Sequence, residues 1–219
     1  MKTLIDLSHT IENGLVTYKG LPAPIICDYI SREASKAVYA EGTSFQIGKI
    51  DMCSNTGTYI DSPFHRYESG KDLSELNLDA VAQLEAIKIT VPENQHAIDE
   101  AYFKNQSVNG KAVLIQTNWS RHWNTESYYE NHPFLTESAA LYLRDQGAVL
   151  VGIDSHNIDD TRGNQRPVHS ILLGADILIV EHMCNLQSLP TDNFHFYAVP
   201  VKVKGFGTFP VRAFAQLKA

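Results

Sequence analysis

Two short runs, Val149–Ile153 (VLVGI) and Ile177–Val180 (ILIV), are apolar at every position apart from one glycine. A strand presents alternate residues to opposite faces, so a run apolar on both faces has to be covered on both sides. That demand implies a sheet buried between two layers. The chain is long enough to supply them, with 219 residues of which 43% are hydrophobic. A chain of this size buries roughly 70–75% of the surface it exposes when unfolded. No repeat, low-complexity tract or Pro/Gly/Ser-rich linker interrupts it, so one domain over residues 1–219 is expected.

Other short runs rich in Val, Ile and aromatic residues read as strands: Thr3–Leu7, Ser44–Met52, Ala86–Val91, Ala112–Thr117, Phe196–Val203 and Pro210–Leu217. Phe45–Met52 alternates apolar with polar and predicts a strand with one wet face. Thr136–Asp145 reads as a helix with Thr136 as N-cap and Gly147 as its stop. Pro167–Leu173 reads as a shorter helix closed by Gly174, and Ala97–Lys104 as a weaker third. Strands and helices alternate in the second half, which predicts a mixed α/β domain.

Composition excludes several function classes. Lys+Arg 18 against Asp+Glu 25 gives a net charge of -7 with no basic run, so no nucleic-acid partner is expected. No apolar run approaches the roughly 18 residues needed to cross a bilayer, and no membrane partner is expected. The N-terminal residues lack the pattern of a signal peptide. Cys27, Cys53 and Cys184 are odd in number and far apart, which fits neither a disulfide framework nor a zinc ribbon. A cytoplasmic protein is the expectation.

The densest polar cluster is Ser54–Tyr67 (SNTGTYIDSPFHRY). Gly57 and Pro63 break regular structure there, and the segment presents Asp61 and His65 across a stiff turn. A carboxylate and an imidazole so held can share a metal, or act as a base and its orienting partner. They can equally cap backbone groups in a polar loop.

This stretch resembles the signature of the cyclase family, which contains kynurenine formamidase and isatin hydrolase. The family pattern is His-x-Gly-Thr-His-x-Asp-x-Pro-x-His, and here it stands as Asn55, Gly57, Thr58, Tyr59, Asp61, Pro63 and His65. Segments in the family's order continue along the chain: Ile5–Ser8, Thr17–Gly20, Ala112–Trp119, Val151–Ser155, His169–Leu173, Ile179–Glu181 and Phe209–Ala213. The resemblance implies a mixed-sheet swivelling β/β/α domain, a homodimer or homotetramer, and a small-molecule substrate.

In formamidases of the family the two leading histidines, the Asp and a distant Glu hold one zinc. The same Asp and Glu bridge to a second zinc, which a distant His also binds. Carried over residue by residue, the leading histidines fall at Asn55 and Tyr59 and are missing. Asp61, His169 and Glu181 match the second position, and His65 matches the general acid/base. Asn offers a neutral amide oxygen, and Tyr ligates only after ionising from a pKa of about 10. Zinc prefers nitrogen and sulfur donors. One divalent metal on Asp61, His169 and Glu181, with His65 as a fourth ligand, is therefore expected. Zn²⁺ comes first, and Mn²⁺ or Fe²⁺ also suit the donors.

The activity so implied is hydrolysis of an amide, formamide or lactam C–N bond of a small aromatic substrate. His65 would move the proton, and Tyr59 and Thr58 would donate to the oxyanion. Tyr18, Phe64 and Asn55 are the candidate substrate contacts, with Trp119, Trp123 and Tyr67 as further aromatics that core packing also explains. Asp154 and His156 read equally well as a capping carboxylate and a surface imidazole. His182 follows Glu181 directly and should face away from it. The alternative is a non-catalytic binding protein that kept the fold and lost the reaction.

Overall fold

In the computed structural model, which describes residues 3–218, thirteen strands and three α-helices follow one another along the chain. The strands are β1 (Leu4–Asp6), β2 (Ile25–Ile30), β3 (Ile47–Asp51), β4 (Tyr59–Asp61), β5 (Leu84–Thr90), β6 (Ala97–Ile98) and β7 (Ala112–Gln116). They continue with β8 (Phe134–Leu135), β9 (Leu150–Ile153), β10 (Leu178–Glu181), β11 (Phe194–Tyr197), β12 (Thr208–Pro210) and β13 (Phe214–Leu217). The helices are α1 (Arg32–Ser35), α2 (Glu137–Asp145) and α3 (Pro167–Leu173).

Nine strands form one mixed sheet in the order β1-β13-β11-β5-β7-β9-β10-β4-β12. Its centre, β5-β7-β9-β10, is parallel, and both flanks are antiparallel. Period-2 alternation divides the core in two. Val113, Ile115, Val151, Ile153 and Ile179 face the layer made by α2 and α3. Leu114, Leu150, Leu178 and Val180 face the opposite side, against Leu7, Phe194, Phe196 and Met183. The two-sided apolar runs are thus covered on both faces, as their composition requires.

Helix α2 begins where its cap residue dictates, with Thr136 Oγ1 accepting from the Ala139 N–H. Helix α3 starts on Pro167, whose fixed φ suits the first helical position. No helix among the described residues is long and apolar enough to cross a membrane.

Four expectations need correction. The run Ala97–Lys104 is a two-residue strand followed by the 3-10 turn Glu100–Tyr102, because the Asp99 carboxylate caps the Ala101 N–H immediately. Pro210–Leu217 is two strands with different partners, broken at Val211–Ala213. The run at Phe196–Val203 is a strand only over Phe194–Tyr197. The alternating segment at Phe45–Met52 has no buried face at all. Its strand β3 pairs only with β2, and every residue of β3 is exposed.

Candidate metal centre

Sheet register brings the signature to one place. Directly opposed residues of antiparallel strands share a face. Tyr59 opposes Glu181 and Asp61 opposes Ile179 across β4 and β10, while Thr208 opposes Asp61 across β12 and β4. Tyr59, Asp61, Glu181 and Thr208 therefore point to the side of the sheet that carries Ile179 and α3, and all four are buried. Helix α3 adds His169 from above, 5% exposed.

The loop ahead of β4 is fixed by backbone demands. Gly57 has φ 67°, and a side-chain carbon there would lie 2.7 Å from Ile11 Cγ1. After β4, Pro63 opens the 3-10 turn Pro63–His65. Gly207 passes so close beneath it that a Cβ would reach 2.2 Å from the His65 nitrogen. Ser62 N–H donates to the Gly207 carbonyl at 2.7 Å, locking β12 and its Thr208 against the signature.

His169 has a defined tautomer. Its Nδ1 lies 2.6 Å from Asp159 Oδ2, and an ionised carboxylate can only accept, so Nδ1 carries the proton. The same Asp159 carboxylate accepts the Val168 and His169 N–H groups at 2.8 and 3.0 Å. A metal that displaces the second proton would thus meet the lone pair of Nε2, the carboxylate–histidine arrangement found behind metal-binding imidazoles. Nε2 lies 3.7 Å from Asp61 Oδ2 and 3.8 Å from Glu181 Oε1. These separations are too long for hydrogen bonds. They lie within a few tenths of an ångström of the roughly 3.4 Å that separates tetrahedral donors about 2.1 Å from zinc.

Two further facts fit a cation. Asp61 Oδ2 is buried and makes no hydrogen bond among the described residues, a costly state for a carboxylate oxygen. One donor atom from each of Asp61, His65 and His169 also lies within 4.8 Å of the others, a group that does not include Glu181. Three buried carboxylates, Asp61, Asp159 and Glu181, surround one imidazole. Taking an uncompensated charge out of water costs several kcal/mol per ion. The pKa directions express that load. Burial pushes the Glu181 carboxyl up and the Asp61 charge adds to this, with His169 opposing. Burial alone would lower the His169 pKa, but Asp159, Asp61 and Glu181 outweigh it and raise it to about 10. The cluster calls for positive charge, as a proton or as a metal.

The remaining oxygens of the acids are engaged. Glu181 Oε1 accepts the Ile158 N–H and Oε2 accepts the Tyr59 hydroxyl, both at 2.6 Å. Asp61 Oδ1 accepts the Thr208 hydroxyl, whose oxygen lies 2.7 Å from His65 Nδ1. That hydroxyl has one proton and donates it to the carboxylate, so His65 Nδ1–H must donate to Thr208. The free lone pair of His65 then lies on Nε2.

Asn55, Tyr59, His65, His169 and Glu181 line a cavity of about 890 Å³, together with Tyr18. Phe64 is not among the lining residues, nor are Trp119, Trp123 or Tyr67. Trp123 stacks on His9 at 4.0 Å, and the Trp119 Nε1–H donates to the Tyr128 carbonyl at 3.0 Å. Tyr67 donates to the Ser170 carbonyl at 2.8 Å. Thr58 cannot serve an oxyanion as expected, because its hydroxyl donates to the His182 carbonyl at 2.5 Å and accepts the His9 N–H at 3.0 Å. Asp154 is the capping carboxylate, accepting from Thr117 and Asn118. His156 is buried, not surface, and its ring packs 4.4 Å from that of Tyr18.

His182 is a further correction. Strand alternation ends at Glu181, and the left-handed backbone at His182 (φ 54°) turns its ring to within 3.3 Å of the Tyr59 hydroxyl. Asp159, Thr208 and His182 are the site residues that sequence reasoning missed. Only Asp159 left a signal, an acidic residue eight positions ahead of the proline that starts helix α3.

A family model described as "Putative cyclase" matches residues 5–160. A kynurenine formamidase of Bacillus cereus (strain ATCC 14579) is 28% identical over 210 residues, covering 95% of each chain. One from Geobacillus thermodenitrificans is 30% identical over 215 residues, covering 97% of each. Among solved structures, isatin hydrolase A from Labrenzia aggregata superposes with a TM-score of 0.83 at 18% identity, over 100% of this chain and 94% of that one. A predicted metal-dependent hydrolase from Bacillus stearothermophilus gives 0.77 at 25% identity, over 99% and 98%.

Proposed function

The chain belongs to the cyclase family, and on that premise we propose that it is a metal-dependent hydrolase cleaving an amide, formamide or lactam C–N bond of a small molecule. The observation that carries the reading is the Asp159–His169 contact of 2.6 Å, which turns Nε2 toward the buried Asp61 and Glu181. The formamidase and isatin hydrolase relatives support the reaction class. Residues 1–219 act as one catalytic domain in this reading.

Asp61, His169 and Glu181 would hold one divalent metal. Two carboxylates and an imidazole suit Zn²⁺, with Mn²⁺ or Fe²⁺ compatible. Bound there, such a metal supplies Lewis acidity, lowering the pKa of water toward neutrality and polarising a substrate carbonyl. His65 is the general base and also the candidate fourth ligand, its donor atom lying within 4.8 Å of those of Asp61 and His169. Its Nδ1–H donates to Thr208, and Nε2 accepts a proton from water and returns it to the leaving nitrogen. Tyr59 holds the outer oxygen of Glu181 instead of donating to the oxyanion. Tyr18 offers an aromatic face to the substrate, and Asn55 an amide.

The active unit is a homodimer or homotetramer. The ribbon β2–β3 exposes Ile25, Tyr29, Phe45, Ile47 and Ile50, and an isolated two-stranded ribbon is marginal in water. A second copy covering it relieves that exposure. The three unpaired cysteines agree with a reducing, cytoplasmic setting.

The test is turnover of a panel of formamides and lactams before and after removal of metal with a chelator. Hydrolysis that is lost on chelation and restored by Zn²⁺ or Mn²⁺ supports the reading. Hydrolysis that chelation leaves untouched contradicts it, and binding without any turnover points to the non-catalytic alternative. Light scattering on the eluted peak checks the oligomer, and a monomer would overturn that part.

A further inference from the structure

The cavity is more polar than an aromatic substrate alone requires. Beside the metal cluster it is lined by carboxamides at Asn157, Asn164 and Gln165, and by two guanidinium groups, Arg66 and Arg166. Arg121, Arg144, Arg162 and Arg212 each pair with a carboxylate. Arg66 and Arg166, like the exposed Arg32 away from the cavity, pair with none among the described residues, although Glu137 also lines the cavity.

Arg66 is placed for a purpose that its own contacts do not exhaust. It directly follows His65, and its Nε–H donates at 3.0 Å to Ser170 Oγ, which directly follows His169. Ser170 in turn donates to the Arg166 carbonyl at 2.9 Å. The side chain thus bridges the 3-10 turn that carries His65 and helix α3 that carries His169, with its guanidinium carbon 5.6 Å from the centre of the Tyr67 ring. The Nη1 and Nη2 groups make no hydrogen bond among the described residues, and their paired N–H edge is the one that matches a planar carboxylate. Arg166 differs, since its Nη1 donates to the carbonyls of Asp160, Gly163 and Gln165 and so shapes the loop first.

We propose that Arg66 is a substrate-recognition residue, and that the amide hydrolysed here carries a carboxylate, which the Nη edge of Arg66 holds at the mouth of the cavity. This rests on the hydrolase reading of the site and narrows its substrate class to anionic amides. A charge-assisted, two-point contact at this exposed position should favour the carboxylate about tenfold over a neutral analogue.

Binding and turnover separate the two claims. The ligand pair 3-phenylpropanoate and 3-phenylpropan-1-ol shares a phenyl ring and carries no hydrolysable bond. Calorimetry on the protein as purified should show the carboxylate binding at least about tenfold more tightly. In Arg66→Gln the two should bind alike, and Arg66→Lys should keep part of the preference. Equal affinities in the parent overturn the proposal, as does failure of both to bind. A preference that survives Arg66→Gln overturns it too, because the carboxylate then sits on the metal or elsewhere. Turnover of N-formylphenylalanine against its carboxamide is the second arm. Hydrolysis of both without preference for the acid removes the recognition claim and leaves the hydrolase. An Arg66-dependent binding preference with no turnover of any amide leaves the recognition claim and removes the hydrolase.

Discussion

The Tyr59 hydroxyl lies 2.6 Å from Glu181 Oε2 and 3.3 Å from His182 Nε2. The donors along this chain are consistent. Tyr59 O–H donates to the carboxylate, His182 Nε2–H donates to the Tyr59 oxygen, and Tyr128 O–H donates to His182 Nδ1 at 2.9 Å. Burial first, and then His156, keeps the His182 pKa well below its ordinary value, so the ring stays neutral. Burial also raises the Tyr59 phenol well above its ordinary range, with Glu181 adding to it. The phenol therefore remains a donor to Glu181 and does not ionise into a ligand. A phenol clamped by an imidazole stands where the cyclase-family signature has its second leading histidine.

Placing the family's two leading histidines in this chain should create a second metal position. The double substitution Asn55→His with Tyr59→His is expected to raise bound zinc from one to two equivalents per chain, measured by mass spectrometry. Tyr59→Phe alone should leave one equivalent and lower kcat by roughly tenfold, because it leaves Glu181 Oε2 buried without its donor.

Thr208 fixes the tautomer of His65. Thr208→Val should lower kcat by about tenfold to a hundredfold with metal content unchanged, and Thr208→Ser should recover most of it. The ¹⁵N spectrum of histidine-labelled protein should show the Nδ1–H form of His65 in the parent and in Thr208→Ser. An Nε2–H form in the parent would contradict the assignment.

Asp159 orients His169. Asp159→Asn keeps the size but loses the charge, and metal affinity should fall by roughly 10–100-fold. Competition with a chelating dye measures this, and an affinity unchanged from the parent would show that the contact of 2.6 Å does not support the ligand.

Acid should destabilise the fold early. Burial lowers the His156 pKa to about 3, with His132 contributing, and lowers His9 to about 4. In the unfolded chain both bind protons near pH 6.5, so between pH 6.5 and the folded values the unfolded state holds more protons. Stability should fall as pH drops through that window, by up to about 1.4 kcal/mol per pH unit for each such group. In protein stripped of metal, His169 has the opposite sign. Its raised pKa stabilises fully below pH 6.5 and loses that contribution as pH rises toward 10. Denaturant titrations from pH 7 to 4 of the parent and of His156→Asn check this, the variant being expected to show the shallower decline.

Much of this was legible in the sequence because it depends on local pattern. The two-sided apolar runs predicted buried strands, and Thr136 and Pro167 marked two helix starts where they occur. Asp61, His65, His169 and Glu181 were readable as a set through the family signature, and the structure gathers them at one cavity or beside it. What stayed hidden depends on register and on backbone angles. Thr208 reaches Asp61 only through the pairing of β12 with β4, which no motif encodes. His182 joins Tyr59 through one left-handed residue that defeats strand alternation. The exposed alternation of β3 reads from sequence like a half-buried strand, because alternation states which face is apolar and not what covers it.

Metal content tests the central claim most directly, measured by mass spectrometry on protein purified without chelators or a metal-binding tag, beside the Asp61→Ala variant. One equivalent of a divalent metal in the parent and none in the variant is the expected result. Two equivalents in the parent would make Asn55 and Tyr59 ligands after all, and no metal even after incubation with Zn²⁺ and Mn²⁺ would contradict the hydrolase itself.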